Sequence, residues 1–100
     1  MREASIEKHL VKVCKEVGAL CYKFVSPGNT GVPDRLLIFP NGLVGFLELK
    51  APGKRPSPKQ EAVLARLQAN CAHATWVDSK ESVEVTVMLW ARLDKSRKGC

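Results

Sequence analysis

The chain has 100 residues, of which 45% are hydrophobic and 26% charged, with 7 Gly and 6 Pro. This is an ordinary globular composition, and it excludes a disordered, collagen-like or low-complexity chain. The length accommodates one modest core and excludes a two-domain enzyme. We expect no membrane association, because no apolar run approaches the roughly 20 residues that span a bilayer. The N-terminal segment lacks the apolar centre of a signal peptide, which favours a cytoplasmic location.

The charge balance favours a polyanionic partner. Sixteen basic residues against ten acidic ones leave a net charge of +6. Such an excess is typical of proteins that bind nucleic acid, and secondly anionic membranes, but a soluble protein that is merely basic explains the charge alone equally well. The cysteines and histidines have no metal-ligand spacing, so we expect free or buried thiols and structural or surface histidines. These residues are Cys14, Cys21, Cys71, Cys100, His9 and His73.

The first predicted element is a helix. Its apolar residues recur at helical spacing: Ile6, Leu10, Val13 and Val17. Gly18 suits the helix C-terminus, where a left-handed conformation is common. Glu7 lies on the edge of the apolar stripe, with Glu3 beside it. A carboxylate in that position can reach into a cleft while the helix stays packed.

Three β-prone segments follow, at residues 20–25, 35–39 and 43–50. The turn formers at 26–31 separate the first two, and Pro40-Asn41-Gly42 predicts a hairpin between the last two. Both hairpin strands are almost continuously apolar. We therefore expect them in the middle of a sheet, with both faces covered.

A second helix begins after the basic loop at residues 51–56. Ser57 is the predicted N-cap, Pro58 the first helical residue and Gln60 the partner in a capping box. The helix should end near Asn70. Its expected buried residues are Val63, Leu64, Leu67 and Cys71.

The last part of the chain predicts a fourth strand at residues 73–77 and then an ambiguous segment. Residues 83–89 alternate like a strand, whereas Val83, Val87 and Trp90 fit a helix. We favour the helix, with Asp78 and Glu81 as its capping box. The order α-β-β-β-α-β-α indicates an α/β fold, a mixed sheet flanked by helices. The domain should occupy residues 1–94, with 95–100 as a disordered basic tail.

The candidate chemistry lies at the ends of the hairpin. In a hairpin centred on Asn41, Asp34 lies opposite Glu48, with Cβ atoms roughly 5 Å apart; a strict two-residue turn would shift this register by one. Lys50 shares a face with Glu48. Opposed carboxylates repel unless a cation lies between them, and oxygen ligands suit Mg²⁺ or Mn²⁺. Isolated acids would be ordinary surface residues, but this pairing on apolar strands favours a metal site.

These residues resemble a known family. Pro33-Asp34 followed by Glu48-Leu49-Lys50 is similar to the PD-(D/E)XK nuclease signature. The wider pattern of residues 31–34, 48–52 and 57–60 resembles the virus-type replication-repair nuclease (VRR-NUC) domain. The resemblance covers essentially the whole chain. It implies a restriction-endonuclease-like αβββαβ core with a C-terminal helix.

The resemblance also implies a catalytic centre for Mg²⁺ or Mn²⁺. Asp34 and Glu48 would be metal ligands, with the backbone carbonyl of Leu49 completing the protein ligands, and Lys50 would be the catalytic lysine. The chain requires no organic cofactor on this interpretation.

Two further residues match the family pattern. Glu7 matches the acid of the first helix, which touches the metal directly or through water, with Glu3 as the alternative. Gln60 matches an active-site glutamine, although a purely capping role explains it equally well.

Basic residues near the predicted site indicate DNA as the partner. Lys54, Arg55 and Lys59 border it and can neutralise phosphates, and Lys23 and Arg35 belong to the same basic stretch. The resemblance implies a structure-specific endonuclease on branched DNA, four-way (Holliday) junctions included, acting as a homodimer. Two alternatives stay open: a restriction-type endonuclease on linear duplex, and a non-catalytic DNA-binding module.

Overall fold

The computed structural model describes residues 2–98. Its elements in chain order are α1 (Glu3–Val17), β1 (Leu20–Lys23), β2 (Arg35–Ile38), β3 (Val44–Leu49), α2 (Pro58–Ala69), β4 (His73–Val77) and α3 (Lys80–Lys95). This order is the one expected from the sequence. The predicted fold class, an αβββαβ core with a C-terminal helix, is confirmed.

The four strands form one mixed sheet in the order β1-β2-β3-β4. The first three are antiparallel neighbours, whereas β3 and β4 are parallel and are connected through α2. Helices α1 and α3 pack together on one face, where the Trp90 ring of α3 lies against Gly45. Helix α2 lies on the opposite face, where its Gln60 contacts Glu48. The hairpin strands therefore occupy the middle of the sheet, as predicted.

The turn between β2 and β3 has three residues. The Gly42 N–H donates to the Phe39 carbonyl at 2.9 Å, and the Phe39 N–H donates to the Leu43 carbonyl at 2.8 Å. Gly42 has φ 97°, a conformation that favours glycine. This loop centres the hairpin on Asn41, and the one-residue shift of a two-residue turn does not occur.

The main core lies between the sheet and the α1–α3 layer. The predicted stripe of α1 is buried at Ile6, Leu10 and Val13, and Gly18 ends the helix with φ 77°. Residues 83–89, which could be read as a strand or a helix from the sequence, belong to helix α3. Its capping box differs from the prediction, because Ser79 is the N-cap and accepts from the Ser82 N–H at 3.0 Å. The predicted box of Asp78 and Glu81 is therefore wrong.

The opposite face of the sheet is less covered than predicted. Helix α2 packs against β4 and leaves the β1 side open, so Leu20 and Tyr22 are 50% and 54% exposed. Of the residues expected to be buried on α2, only Leu64 is, while Val63 and Leu67 are half-buried. Cys71 is exposed in a left-handed conformation because the helix ends at Ala69, with Asn70 as its C-cap.

The C-terminal end of α3 is tied to the hairpin turn. The helix ends at Lys95, one residue past the expected domain boundary, and the Asn41 side chain donates to the carbonyls of Asp94 and Arg97. Residues 99–100, including Cys100 and the end of the predicted tail, lie outside the described residues. Within residues 2–98, no helix has the length and apolar character needed to cross a membrane.

Candidate active site

The hairpin register brings the two predicted acids together. Arg35 pairs with Leu47, which places Asp34 and Glu48, the next residues outward, opposite each other. Asp34 follows Pro33 at the entrance to β2 and is exposed, whereas Glu48 is buried inside the sheet with 3% exposure. Asp34 Oδ2 accepts from the Leu49 N–H at 3.1 Å, so the carboxylate of one strand is held against the end of the other.

Glu48 is an electrostatically strained carboxyl. Burial first, and then the charge of Asp34, raise its pKa from 4.5 to about 7, against the opposing attraction of Lys50. Its Oε2 accepts from Gln60 Nε2 at 3.0 Å and lies 3.5 Å from Lys50 Nζ. Its Oε1 is buried and has no hydrogen-bond partner among the described residues. A buried carboxylate oxygen in that state needs a cation or a proton.

The donor set fits a hard divalent cation. The unpartnered Glu48 oxygen and the facing Asp34 carboxylate are oxygen ligands of the kind that Mg²⁺ and Mn²⁺ prefer, and the Leu49 carbonyl belongs to the residue that directly follows Glu48. Residues 2–98 contain no group of three or more His, Cys, Asp or Glu side chains placed to hold a metal. An ion here would therefore keep several waters, as Mg²⁺ commonly does.

Gln60 takes part in the predicted capping box and also contacts the acid pair. Its amide oxygen accepts from the Ser57 N–H at 2.9 Å, and the Gln60 backbone N–H donates to Ser57 Oγ at 3.1 Å. The amide nitrogen of the same side chain points the other way and donates to Glu48. The capping box thus holds the glutamine side chain in the orientation that contacts the acid.

Glu7 is not brought to the acid pair in this structure. Its Oε2 lies 3.0 Å from the Arg35 guanidinium, on the α1 side of the sheet. Glu3, the alternative from the sequence, lies close enough for its charge to raise the pKa of Glu48. Arg35 is 7% exposed and paired with Glu7, a placement that does not favour contact with DNA; that contact stays a prediction. Its side chain points into the α1 layer because it alternates with Asp34.

The remaining predicted DNA-binding residues are exposed. Lys23, Lys54 and Lys59 reach solvent, and the Arg55 guanidinium lies 5.6 Å from the centre of the Trp76 ring. Trp76 pairs with Glu48 in the sheet, so this stacking holds the basic loop beside the acid pair.

A further cationic side chain, Arg66, lies near Lys59 and was not predicted from the sequence. Arg66 lies two turns further along α2, and with Lys59 it lines a cleft of about 300 Å³ against the loop that contains Asn29. The spacing of seven residues on a helix was the available signal, since it places both side chains on one face.

The cysteines in the described part of the chain are free thiols, as predicted; they are Cys14, Cys21 and Cys71. Cys14 of α1 and Cys21 of β1 are neighbours, which their sequence spacing did not indicate. Hydrogen bonding from Cys14 lowers the pKa of Cys21 to about 7, and the pKa of Cys14 rises correspondingly. Arg35 Nη1 lies 3.8 Å from the Cys21 sulfur and favours its thiolate.

Comparison with known proteins gives relatives over most of the chain. No family model matches it. The chain is 51% identical over 81 residues to "Putative nuclease p44" of Acyrthosiphon pisum secondary endosymbiont phage 1, which covers 81% of this chain and 87% of that protein. A solved structure described as "VRR_NUC domain" superposes with a TM-score of 0.80 at 28% identity, covering 86% of this chain and 94% of that one. The similarity therefore extends over the domain rather than one motif.

Proposed function

Because this chain belongs to the VRR-NUC family of nucleases, we propose that it is a divalent-metal-dependent endonuclease that cuts phosphodiester bonds in branched DNA, four-way junctions included. The observation that carries the proposal is the buried Glu48 carboxyl, which faces Asp34 and has one oxygen without a partner in the described part of the chain. Such a group destabilises the protein by itself. It is useful when a cation and a phosphate are bound.

Asp34, Glu48 and the Leu49 carbonyl would hold Mg²⁺ or Mn²⁺. Such an ion supplies a bound water of lowered pKa and neutralises charge on the phosphate. Gln60 prepares the site by bonding Glu48 Oε2, which leaves Oε1 free to face the ion. Glu3 is the acid of α1 whose charge reaches Glu48, and it is suited to a ligand role through water.

Lys50 is the residue suited to act on the reacting phosphate. Its ammonium group lies 3.5 Å from Glu48 Oε2, and its side chain is 19% exposed, so it stands at the boundary between the buried acid and solvent. A fixed positive charge there stabilises the negative charge that develops on the phosphate in the transition state, and it can orient the attacking water. Neither role needs an organic cofactor.

The DNA would approach along the exposed cations beside the site. Lys54, Arg55 and Lys59 stand on the loop and helix that border Glu48, and Lys23 lies at the end of β1. Their charges suit phosphates on both sides of the scissile bond. We propose a homodimer, because two-fold symmetric branched substrates present two equivalent bonds to two sites. The place of action would be the cytoplasm of the host cell.

The test is cleavage of a four-way junction, a flap and a linear duplex that share one sequence, each with Mn²⁺, Mg²⁺ or EDTA. We expect the junction or flap to be cut fastest and EDTA to abolish cutting. Asp34→Asn, Glu48→Gln and Lys50→Met should each lower the rate by about 10²-fold or more, as loss of a catalytic charge does. Glu16→Gln, on the exposed side of α1, is the matched control and should leave the rate unchanged.

Two results would contradict the proposal in different ways. Equal cutting of linear duplex at one fixed sequence would indicate a restriction-type endonuclease. Binding of all three DNAs without cutting under any metal condition would indicate a non-catalytic module. Light scattering of the purified protein, alone and with the junction, tests the homodimer.

A further inference from the structure

A second cationic site lies outside the active site, in the groove between α1 and α3. A cavity of about 470 Å³ opens there, and its lining residues are Ser5, Lys8, His9, Lys12 and Lys80. We call this the α1–α3 basic pocket. No carboxylate lines it. Glu84 stands next to it, with Oε1 3.6 Å from His9 Nε2 and a side chain that is 55% exposed. The pocket therefore concentrates three ammonium groups around one opening.

The lysines occupy positions that disfavour the unliganded protein. Lys8 and Lys12 are four residues apart on α1, a spacing at which like charges repel. Lys80 is the first residue of α3, where the helix dipole disfavours a cation. A bound anion relieves both effects. His9 Nε2 adds a buried nitrogen that has no hydrogen-bond partner within residues 2–98.

The chemistry of the pocket suits a phosphate backbone more than a small anion. Ser79 and Ser82 cap the beginning of α3, so its N–H groups are partly occupied and the lysines provide the binding. Lysine acts as a hydrated point charge on a flexible stem, and all three lysines are exposed. Separate exposed charges bind a single phosphate weakly. They add up along a polyanion, because each neutralised phosphate releases counterions.

The pocket lies close to the proposed active site. On α1, Glu3 is near enough to Glu48 to affect its pKa, and Lys12 lies nine residues further, about 14 Å along the helix. On the other side, the Lys50 N–H donates to the Val77 carbonyl at 2.9 Å, and α3 begins three residues later. A strand advances about 3.4 Å per nucleotide, so the stretch of α1 from Glu3 to Lys12 corresponds to about four nucleotides.

From this arrangement we propose that the α1–α3 basic pocket binds the phosphate backbone of a second arm of a branched DNA. The inference rests on the proposed function for the identity of the polyanion and deepens it. The active site and its basic loop lie on the α2 face of the sheet, while the pocket lies in the opposite helical layer. One straight duplex cannot follow both surfaces, whereas two arms that diverge from a junction can.

The experiment compares two triple variants with the same net charge. One removes the pocket lysines (Lys8→Gln, Lys12→Gln, Lys80→Gln), and the matched control removes exposed lysines elsewhere (Lys15→Gln, Lys95→Gln, Lys98→Gln). Binding to a four-way junction and to linear duplex is measured in EDTA, over a range of salt concentrations. The pocket variant should bind the junction at least about tenfold more weakly than the control, with a salt slope reduced by up to about 0.9 per lysine. Its affinity for linear duplex should match that of the control.

Single variants keep the test decisive if a triple variant is poorly folded, because Lys80→Gln alone should lower the junction slope by up to about 0.9. Equal losses in the pocket and control variants would overturn the proposal, since net charge would then explain the binding. Equal losses for junction and duplex would also overturn it, because the pocket would hold the same arm as the active site. Saturation by inorganic phosphate at micromolar concentration, with unchanged junction affinity in the variant, would identify a small-anion site instead.

The outcome can be separated from that of the proposed function. Junction binding in EDTA does not depend on cutting, and cutting by the parent protein with Mn²⁺ is measured independently. A selective loss of junction affinity in a protein that cuts no DNA would support the pocket and refute the nuclease proposal. If the parent protein cuts junctions and the pocket variant binds them as well as the control does, the nuclease proposal is supported and the pocket proposal is refuted.

Discussion

Replacing Glu48 by Gln should stabilise the metal-free protein. The folded protein raises the pKa of this carboxyl from 4.5 to about 7, and each pKa unit corresponds to about 1.4 kcal/mol. The folded protein disfavours the charged form. Below pH about 4.5 the carboxyl is protonated in both the folded and the unfolded state, so it does not lower the free energy of unfolding. The cost grows as the pH rises to about 7 and then stays near 3 kcal/mol. Glutamine keeps the shape and removes the charge.

The assay is urea unfolding in EDTA at pH 4 and pH 8. The Glu48→Gln protein should match the parent at pH 4 and exceed its free energy of unfolding by about 2–3 kcal/mol at pH 8. Glu16→Gln is the control and should change this free energy by no more than about 0.5 kcal/mol at either pH. With Mn²⁺ at 100 times its dissociation constant, the parent should gain about 2.7 kcal/mol and the Gln variant far less.

The reasoning would be refuted by a stability difference that is the same at both pH values, because a constant difference reflects packing or hydrogen bonding rather than ionisation. An equal gain from Mn²⁺ in parent and variant would show that the ion binds elsewhere. Either result would remove the argument that the buried Glu48 oxygen awaits a cation.

Two further predictions concern packing around the site. Ser57→Ala removes the cap and should lower the free energy of unfolding by about 1 kcal/mol, with nuclease activity retained. Gln60→Ala should lower both the free energy of unfolding and the nuclease activity, because the Gln60 side chain also holds Glu48. Equal activities of the two variants in the junction assay would contradict a role of Gln60 in positioning Glu48. Gly45→Ala should lower the free energy of unfolding by about 1–3 kcal/mol, because the new Cβ would clash with the Trp90 ring. Adding Trp90→Leu should cancel part of that loss in a double-mutant cycle followed by urea unfolding, and strictly additive losses would show that the two residues do not clash.

The features that the sequence predicted correctly depend on neighbours along the chain. Asn41 and Gly42 specify the turn, and the turn sets the register that places Asp34 opposite Glu48. The capping box of Ser57 and Gln60 and the left-handed Gly18 are local in the same sense. The box predicted from Asp78 and Glu81 was wrong by one position, since two adjacent polar residues can each serve as an N-cap and local spacing does not choose between them.

The features that the sequence did not reveal depend on how the elements cross. Glu7 and Glu3 are one turn apart on α1, and only the angle of that helix over the sheet decides that one binds Arg35 while the other acts on Glu48. Likewise, the α2 face of the sheet is half open because a single short helix packs against β4. The apolar pattern of β2 does not indicate how much of that face a helix covers.

By itself, the sequence determined the element order, the hairpin register to within one residue and the identity of the opposed acids, because turns, caps and strand alternation act over a few residues. The tertiary structure alone decided which face each helix covers, that Glu48 keeps an oxygen without a partner in the described chain, and that lysines from α1 and α3 meet at one opening. These are outcomes of packing between segments distant in sequence. Burial and charge are set by all the neighbours of a group at once, and so they emerge only when the core has formed.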